Sequence, residues 1–256
     1  MPTYSEYLKV DALLSLQEPL SDGPEHDETL FIVIHQVYEL WFKEVLHELD
    51  YLKRLLHAND RPRAVHTLKR VLTILKTLVA QIDVLETMTP LEFLSFRDRL
   101  ESGSGFQSYQ FRELEFVLGA KHRWALDHFP EGSTARANLH RRFQEPTLWD
   151  ALLDHLRLSG YAVHRRADVT TPIEPDAANK QALIQAYRTD PGAGELCERF
   201  VDLDEGVQEW RYRHVKMVQR TIGTKRGTGG STGAEYLVTT LLKPVFPDLW
   251  DIRTEL

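Results

Sequence analysis

Apolar residues along this chain recur with the period of an α-helix. Phe31, His35, Tyr38, Phe42, Val45, Leu49 and Leu52 follow at steps of three and four, so they share one helical face. Residues 30–42 are apolar nearly all round, interrupted only by His35, Gln36 and Glu39, which predicts a helix buried in the core. Val65, Leu68, Leu72, Leu75, Val79, Ile82 and Leu85 repeat the spacing over residues 61–88. Thr89-Pro90-Leu91-Glu92 then sets threonine as N-cap, proline at the first helical position and glutamate at the third. This capping box opens a short helix running to about Leu100. After a loop at 101–105, further helices are predicted over 106–118, from Pro146 to about 158, and over about 179–188. A long helix carries Leu196, Phe200, Leu203, Val207, Trp210, His214 and Met217 on one stripe and stops at Ile222-Gly223; a short one follows at about 234–242. Residues 168–175 and 191–194 read as the least ordered. The two-residue alternation of a strand is absent. The expected fold is all-α, with residues 1–256 forming a single helical bundle domain.

Composition narrows the class. The 256 residues have room for a substantial core, and 42% hydrophobic with 27% charged residues is the profile of a water-soluble protein. No run of 18 apolar residues exists to span a membrane, and the first residues show no basic and apolar regions of a signal peptide. Cys197 is the sole cysteine, which excludes a disulfide within the chain and fits a cytoplasmic location. A formal net charge of -7 argues against a general nucleic-acid binder.

Four features carry candidate chemistry. His214 interrupts the apolar stripe between Trp210 and Met217, so its imidazole points inward. It is either a hydrogen-bonded core histidine, the commoner case, or an axial ligand to haem iron. His35 has the same character, and an apolar setting keeps it neutral near pH 7, able to accept a hydrogen bond or act as a base. Arg97 sits midway through the apolar helix of Leu91, Phe93, Leu94 and Phe96; it is either paired at the surface or a fork for a substrate carboxylate. Residues 225–233 hold four glycines in nine residues without a hydrophobe, matching neither a Walker A loop nor GxGxxG; they are a plain connector or a lid. No HExxH, HxH or CxxC spacing speaks for zinc.

Several longer motifs occur together in order. They are Tyr4-x-x-Tyr7-Leu8, Pro24-Glu-His-Asp-Glu28, Leu30-Phe-Ile-Val-Ile-His-Gln36, Glu39-Leu-Trp-Phe-Lys43 and Leu85-Glu-Thr-Met-Thr-Pro90. Phe96-Arg-Asp98, Ser104-Gly-Phe-Gln-Ser108, Trp210-Arg-Tyr-Arg-His214, Lys225-Arg-Gly-Thr-Gly-Gly-Ser231 and Phe246-Pro-Asp-Leu-Trp250 complete the set. In these motifs the chain resembles the tryptophan 2,3-dioxygenases over nearly its whole length; residues 165–195 carry no part of the resemblance. The resemblance implies an all-helical pocket for non-covalent haem b, ferrous when active, with His214 as its axial ligand and Ser104 and Gly105 along the distal face. It further implies His35 on the distal side hydrogen-bonding the indole nitrogen, Phe31 packing on the indole, and Arg97 on the carboxylate. Thr228 would contact the ammonium and carboxylate groups. Tyr4, Tyr7 and Leu8, within an N-terminal segment of residues 1–20, would close the pocket of a neighbouring subunit in a homotetramer with exchanged segments. The implied reaction joins L-tryptophan and O2 to give N-formylkynurenine, the first step of tryptophan catabolism by the kynurenine pathway.

Phe93 departs from the tyrosine found in some family members, so any hydrogen bond from that hydroxyl is missing here. Two other readings stand beside the dioxygenase. One is a monooxygenase on the same scaffold, acting on a substituted tryptophan; the relatives with covalent haem use His-x-x-x-Cys, and here Val218 follows His214 at that distance. The other is a haem carrier or sensor without catalysis.

Overall fold

The structure, a computed structural model, describes residues 1–23, 25–100, 103, 105–225, 227 and 233–256, apart from the side chain of Phe106. Among the described residues every regular element is a helix. In chain order these are α1 (Tyr4–Leu8), α2 (Val10–Leu14), α3 (His26–His57), α4 (Arg61–Leu85), α5 (Pro90–Arg97), α6 (Tyr109–Leu118), α7 (Thr134–Gln144), α8 (Leu148–Leu158), α9 (Ala177–Thr189), α10 (Pro191–Ile222), α11 (Ala234–Val238) and α12 (Pro247–Asp251), with short 3-10 turns between some of them. No helix among them is long and apolar enough to cross a membrane.

The long helices α3, α4 and α10 form the frame. α4 packs against both others, α6 and α8 lie on α3, and α9 lies on α10. The apolar stripes read from the sequence are the packed faces. On α3, Leu49 and Leu52 are fully buried, as are Leu68 on α4 and Leu196 and Phe200 on α10. Each such side chain contributes about 1.5–3 kcal/mol by leaving water. Toward one end of the bundle the stripes of α3 and α10 both lose burial: Phe31, His35 and Tyr38 on α3, and Trp210, His214 and Met217 on α10, are half-buried. The helices part there, and a cavity opens between them.

Local signals fix the helix ends. Asp60 caps α4 by accepting from the Arg63 N–H at 3.2 Å, and Asn59 in the preceding turn takes the left-handed conformation at φ 57°. The capping box at the start of α5 is present, with Thr89 N–H donating to Glu92 Oε2 at 2.6 Å and Glu92 N–H to Thr89 Oγ1 at 3.4 Å. That pair sets the direction of α5 across the cavity.

Four expectations need correction. Residues 191–194 are ordered: Asp190 accepts from the N–H groups of Gly192 and Ala193 at 2.9 and 3.1 Å and begins α10. The same carboxylate receives both Arg61 Nη atoms at 2.9 and 2.8 Å, and a Cβ on Gly192 would collide with that guanidinium. Arg97 is the last residue of α5 and not a mid-helix position. The all-apolar stretch of α3 is not covered on every side, since Val33 is 38% and Leu40 51% exposed. Residues 106–118 split into a 3-10 turn, Gly105–Gln107, and α6. The periodicity also passed over α1, α2, α7 and α12.

The C-terminal segment is pinned from α10. Asp204, fully buried, accepts hydrogen bonds from Val245 N–H and Phe246 N–H, both at 2.8 Å, and from Trp250 Nε1 at 2.9 Å. At the other terminus, α1 and α2 pack on each other and bury none of their residues.

Candidate active site

The cavity has a volume of about 270 Å³ and is walled by α3, α4, α5, α6, α10 and α11. Phe31, His35, Arg97, Gly105 and His214 all line it, so five candidate residues scattered over more than 180 positions of sequence meet in one space. Tyr4, Tyr7 and Leu8 do not enter it; they are 77%, 75% and 45% exposed on α1. Ser104 and Thr228 lie outside the described residues. The glycine-rich loop reaches the wall through Gly227 and Gly233.

On the α3 side, His35 Nδ1 lies 2.7 Å from the carbonyl oxygen of Phe31. A carbonyl only accepts, so Nδ1 carries the proton and Nε2 is left as an acceptor. Burial lowers the pKa of His35 below its ordinary 6.5, against the opposing pull of that carbonyl and of Glu39 one turn on, so the neutral ring prevails at neutral pH. The Phe31 ring packs on the imidazole at 4.1 Å and touches Phe96 at 5.5 Å and Phe93 at 5.8 Å. These rings make an apolar slot suited to a flat aromatic ligand.

α5 closes the slot. Phe93 and Phe96 face inward as an edge-to-face pair at 5.5 Å, and Arg97 reaches the cavity from the helix's C-terminal turn, where a cation is favoured by the helix dipole.

Across the cavity, α10 presents His214. Burial pushes its pKa down to about 4, with the facing His35 adding to the shift, so it is neutral. The Trp210 indole stacks on it at 5.0 Å, and the Phe111 ring of α6 lies 4.9 Å from that indole. Two neutral imidazoles thus look at each other across an apolar space.

Several wall residues were not singled out from the sequence as candidates for the site. Tyr38 donates to the Leu78 carbonyl at 2.7 Å, joining α3 to α4. Glu39 accepts from Gln110 Nε2 at 2.8 Å, which ties α6 to α3. Arg112 and Glu115 of α6 and Arg211 of α10 form a charged cluster on the wall. Helical spacing held the signal for two of these: Glu39 follows His35 by four, and Arg211 precedes His214 by three.

The helical fold parts to hold one aromatic-lined cavity, with two neutral histidines and an arginine on its wall. Family comparison supplies the particular case. The tryptophan 2,3-dioxygenase family matches residues 1–156 and 167–256, and the chain belongs to that family. It is 61% identical to the tryptophan 2,3-dioxygenase of Herpetosiphon aurantiacus, covering 99% of this chain and 98% of the relative. Identity is 56% to the enzyme of Anaeromyxobacter sp., covering 98% and 95%, and 41% to that of Bacillus thuringiensis subsp. konkukian, covering 99% and 92%. The family match resumes at residue 167, so most of the stretch from 165 to 195 belongs to the shared pattern after all; the interruption is 157–166.

Proposed function

We propose that this chain is a haem-dependent dioxygenase that cleaves the indole C2–C3 bond of L-tryptophan to give N-formylkynurenine. The observation that carries the reading is the opposition of His35 and His214 across one aromatic-lined cavity, in a chain of this family. The cavity fits haem b: His214 is a neutral imidazole without a hydrogen bond among the described residues, set in an apolar wall, as an iron ligand needs to be. Val218, where a covalent attachment would need cysteine, fits a non-covalent cofactor. When bound, haem supplies the iron that activates O2.

The remaining work falls to the chain. Phe31 stacks on the indole, His35 Nε2 accepts the indole N–H, and the Arg97 guanidinium holds the substrate carboxylate in its fork. Ser104 and Gly105 line the distal side, and Thr228, in the loop whose ends reach the cavity wall, meets the amino-acid end of the substrate. Both atoms of O2 enter the product, so the reaction consumes no external electrons.

Tyr4, Tyr7 and Leu8 belong to this site through assembly. Exposed apolar side chains on α1 and α2, together with Val33 and Leu40 on α3, are a surface that association covers. A homotetramer in which each N-terminal segment closes a neighbour's pocket accounts for all of them. The protein acts in the cytoplasm as a single-domain subunit.

Turnover of tryptophan under 18O2 tests the reaction. Product carrying two labelled oxygens, from protein with a Soret band, is the expected result. One labelled oxygen would make the chain a monooxygenase, and a Soret band without product would make it a haem carrier.

A further inference from the structure

The charged cluster on the cavity wall has no role in the chemistry described so far. Arg112 donates to Glu115 at 2.6 Å, and Arg211 approaches the other oxygen of Glu115 only at 3.8 Å. Both guanidiniums are largely removed from solvent, with side-chain exposures of 7% and 12%. No hydrogen bond from Arg211 to a protein acceptor is present among the described residues, and its guanidinium lies on the cavity wall 3.8 Å from one oxygen of Glu115. A buried guanidinium left so weakly paired is costly, unless an anion completes the pairing. Arg112 and Arg211 thus converge on the Glu115 carboxylate from two helices.

Its place on α10 says which anion. Arg211 precedes His214 by three residues, about 4.5 Å along the helix axis and on the same face. A group held by the His214 imidazole would therefore have Arg211 as a neighbour on the same cavity wall. Arg97 comes from a different helix, α5, so the cavity has two separate cationic stations. One serves an amino-acid carboxylate in the reading above. The other needs a second acid, and b-type haem carries two propionates on one edge.

We infer that Arg211, with Arg112 positioned by Glu115, is the propionate-binding station of the cofactor pocket, accepting a haem carboxylate in a charge-assisted fork. The inference rests on the haem reading, and its test separates the two. Full-length protein freed of cofactor is titrated with ferric haem b and with its dimethyl ester, in which both carboxylates are masked, following the Soret band. The thermal midpoint of each cofactor-free variant reports folding.

Wild type is expected to hold the free acid at least about 10-fold more tightly than the diester, the scale of one lost hydrogen bond to a charged group. Arg211→Ala should lose that preference while its affinity for the diester stays unchanged, and Arg211→Lys should recover part of it. Arg112 is clamped over the Phe111 and Trp124 rings, so Arg112→Lys replaces the alanine variant there. An unchanged acid-to-ester ratio in Arg211→Ala overturns the inference and leaves the haem reading standing. A raised KM for tryptophan with that ratio intact would assign the cluster to the substrate and also overturn it. Binding of neither porphyrin by wild type would remove both readings.

Discussion

The indole of Trp210 and the imidazole of His214 lie 7° from parallel with centroids 5.0 Å apart, one turn from each other on α10. Phe111 and Phe42 hold the indole in turn, at 4.9 and 6.3 Å. A ring pinned on one face points its nitrogens in a fixed direction, as an axial ligand requires. His214→Ala is therefore expected to lose haem on purification and regain it with added imidazole. Trp210→Leu should keep haem but bind it about 10-fold more weakly, with altered axial-ligand spectra. Stoichiometric haem with unchanged axial ligation in His214→Ala would end the assignment.

His35 supplies a pH prediction. Its pKa lies below 6.5, so the neutral form with Nε2 as acceptor predominates above that value. As pH falls through the lowered pKa, Nε2 takes a proton and cannot accept from the indole. Tryptophan kcat/KM should be level from about pH 7 to 8 and fall only on the acid side of 6.5. In His35→Ala the acid limb should vanish, with activity much reduced and haem kept. The vacated space should also admit 1-methyltryptophan, which wild type should reject. A variant that still excludes the methylated substrate would displace His35 from the indole nitrogen.

For Arg97→Lys the charge remains but the two-pronged geometry is lost. A hydrogen bond to a charged group contributes about 1.5–3 kcal/mol, so KM for tryptophan should rise roughly 10-fold or more with folding intact. Tryptamine, lacking the carboxylate, should scarcely distinguish the two proteins. Equal tryptophan kinetics would show that another group binds the acid.

How far the sequence disclosed this arrangement depended on chain distance. The stripes on α3, α4 and α10 were legible because a buried helical face imposes a period on adjacent residues, and the Thr89 capping box because its two hydrogen bonds span three residues. The inward direction of His35 and His214 followed from the same period. What periodicity does not encode is where two stripes stop being buried, and that junction makes the cavity. α7 was missed because His140, Arg141 and Arg142 blur its apolar face; Arg142 turns inward to pair with Asp50 and Glu113. Residues 191–194 read as loose because glycine lacks helix propensity, while the cap from Asp190 and the clamp from Arg61 depend on packing. The haem reading of the pocket came from the resemblance in ordered motifs; the bare spacing left core histidines the commoner reading.

Asp204 offers a stability test remote from the chemistry. Alanine there leaves Val245 N–H, Phe246 N–H and Trp250 Nε1 without their buried acceptor. At about 1–3 kcal/mol for each buried group left unsatisfied, a total near 3 kcal/mol is expected after relaxation. Chemical denaturation measures it, and protease cleavage after residue 243 should precede global unfolding. A loss below about 1 kcal/mol would mean that water replaces the carboxylate.

The N-terminal helices give the last prediction, joining assembly to catalysis. α1 has good local signals, with Thr3 capping it and Glu6 completing the box at 2.8 Å, yet it buries nothing of its own chain. A five-residue helix is unstable by itself, so this one needs a surface to hold it. If that surface is a neighbour's pocket, deletion of residues 1–9 should leave haem bound and raise KM for tryptophan. Mixing the truncated protein with full-length His214→Ala, under conditions of subunit exchange, should then restore activity: a haem-bearing subunit receives its missing segment from a haem-free partner. Neither protein alone should support turnover at low tryptophan, so recovery would require a segment acting between chains. Demonstrated exchange with no recovery would place the segment over its own subunit.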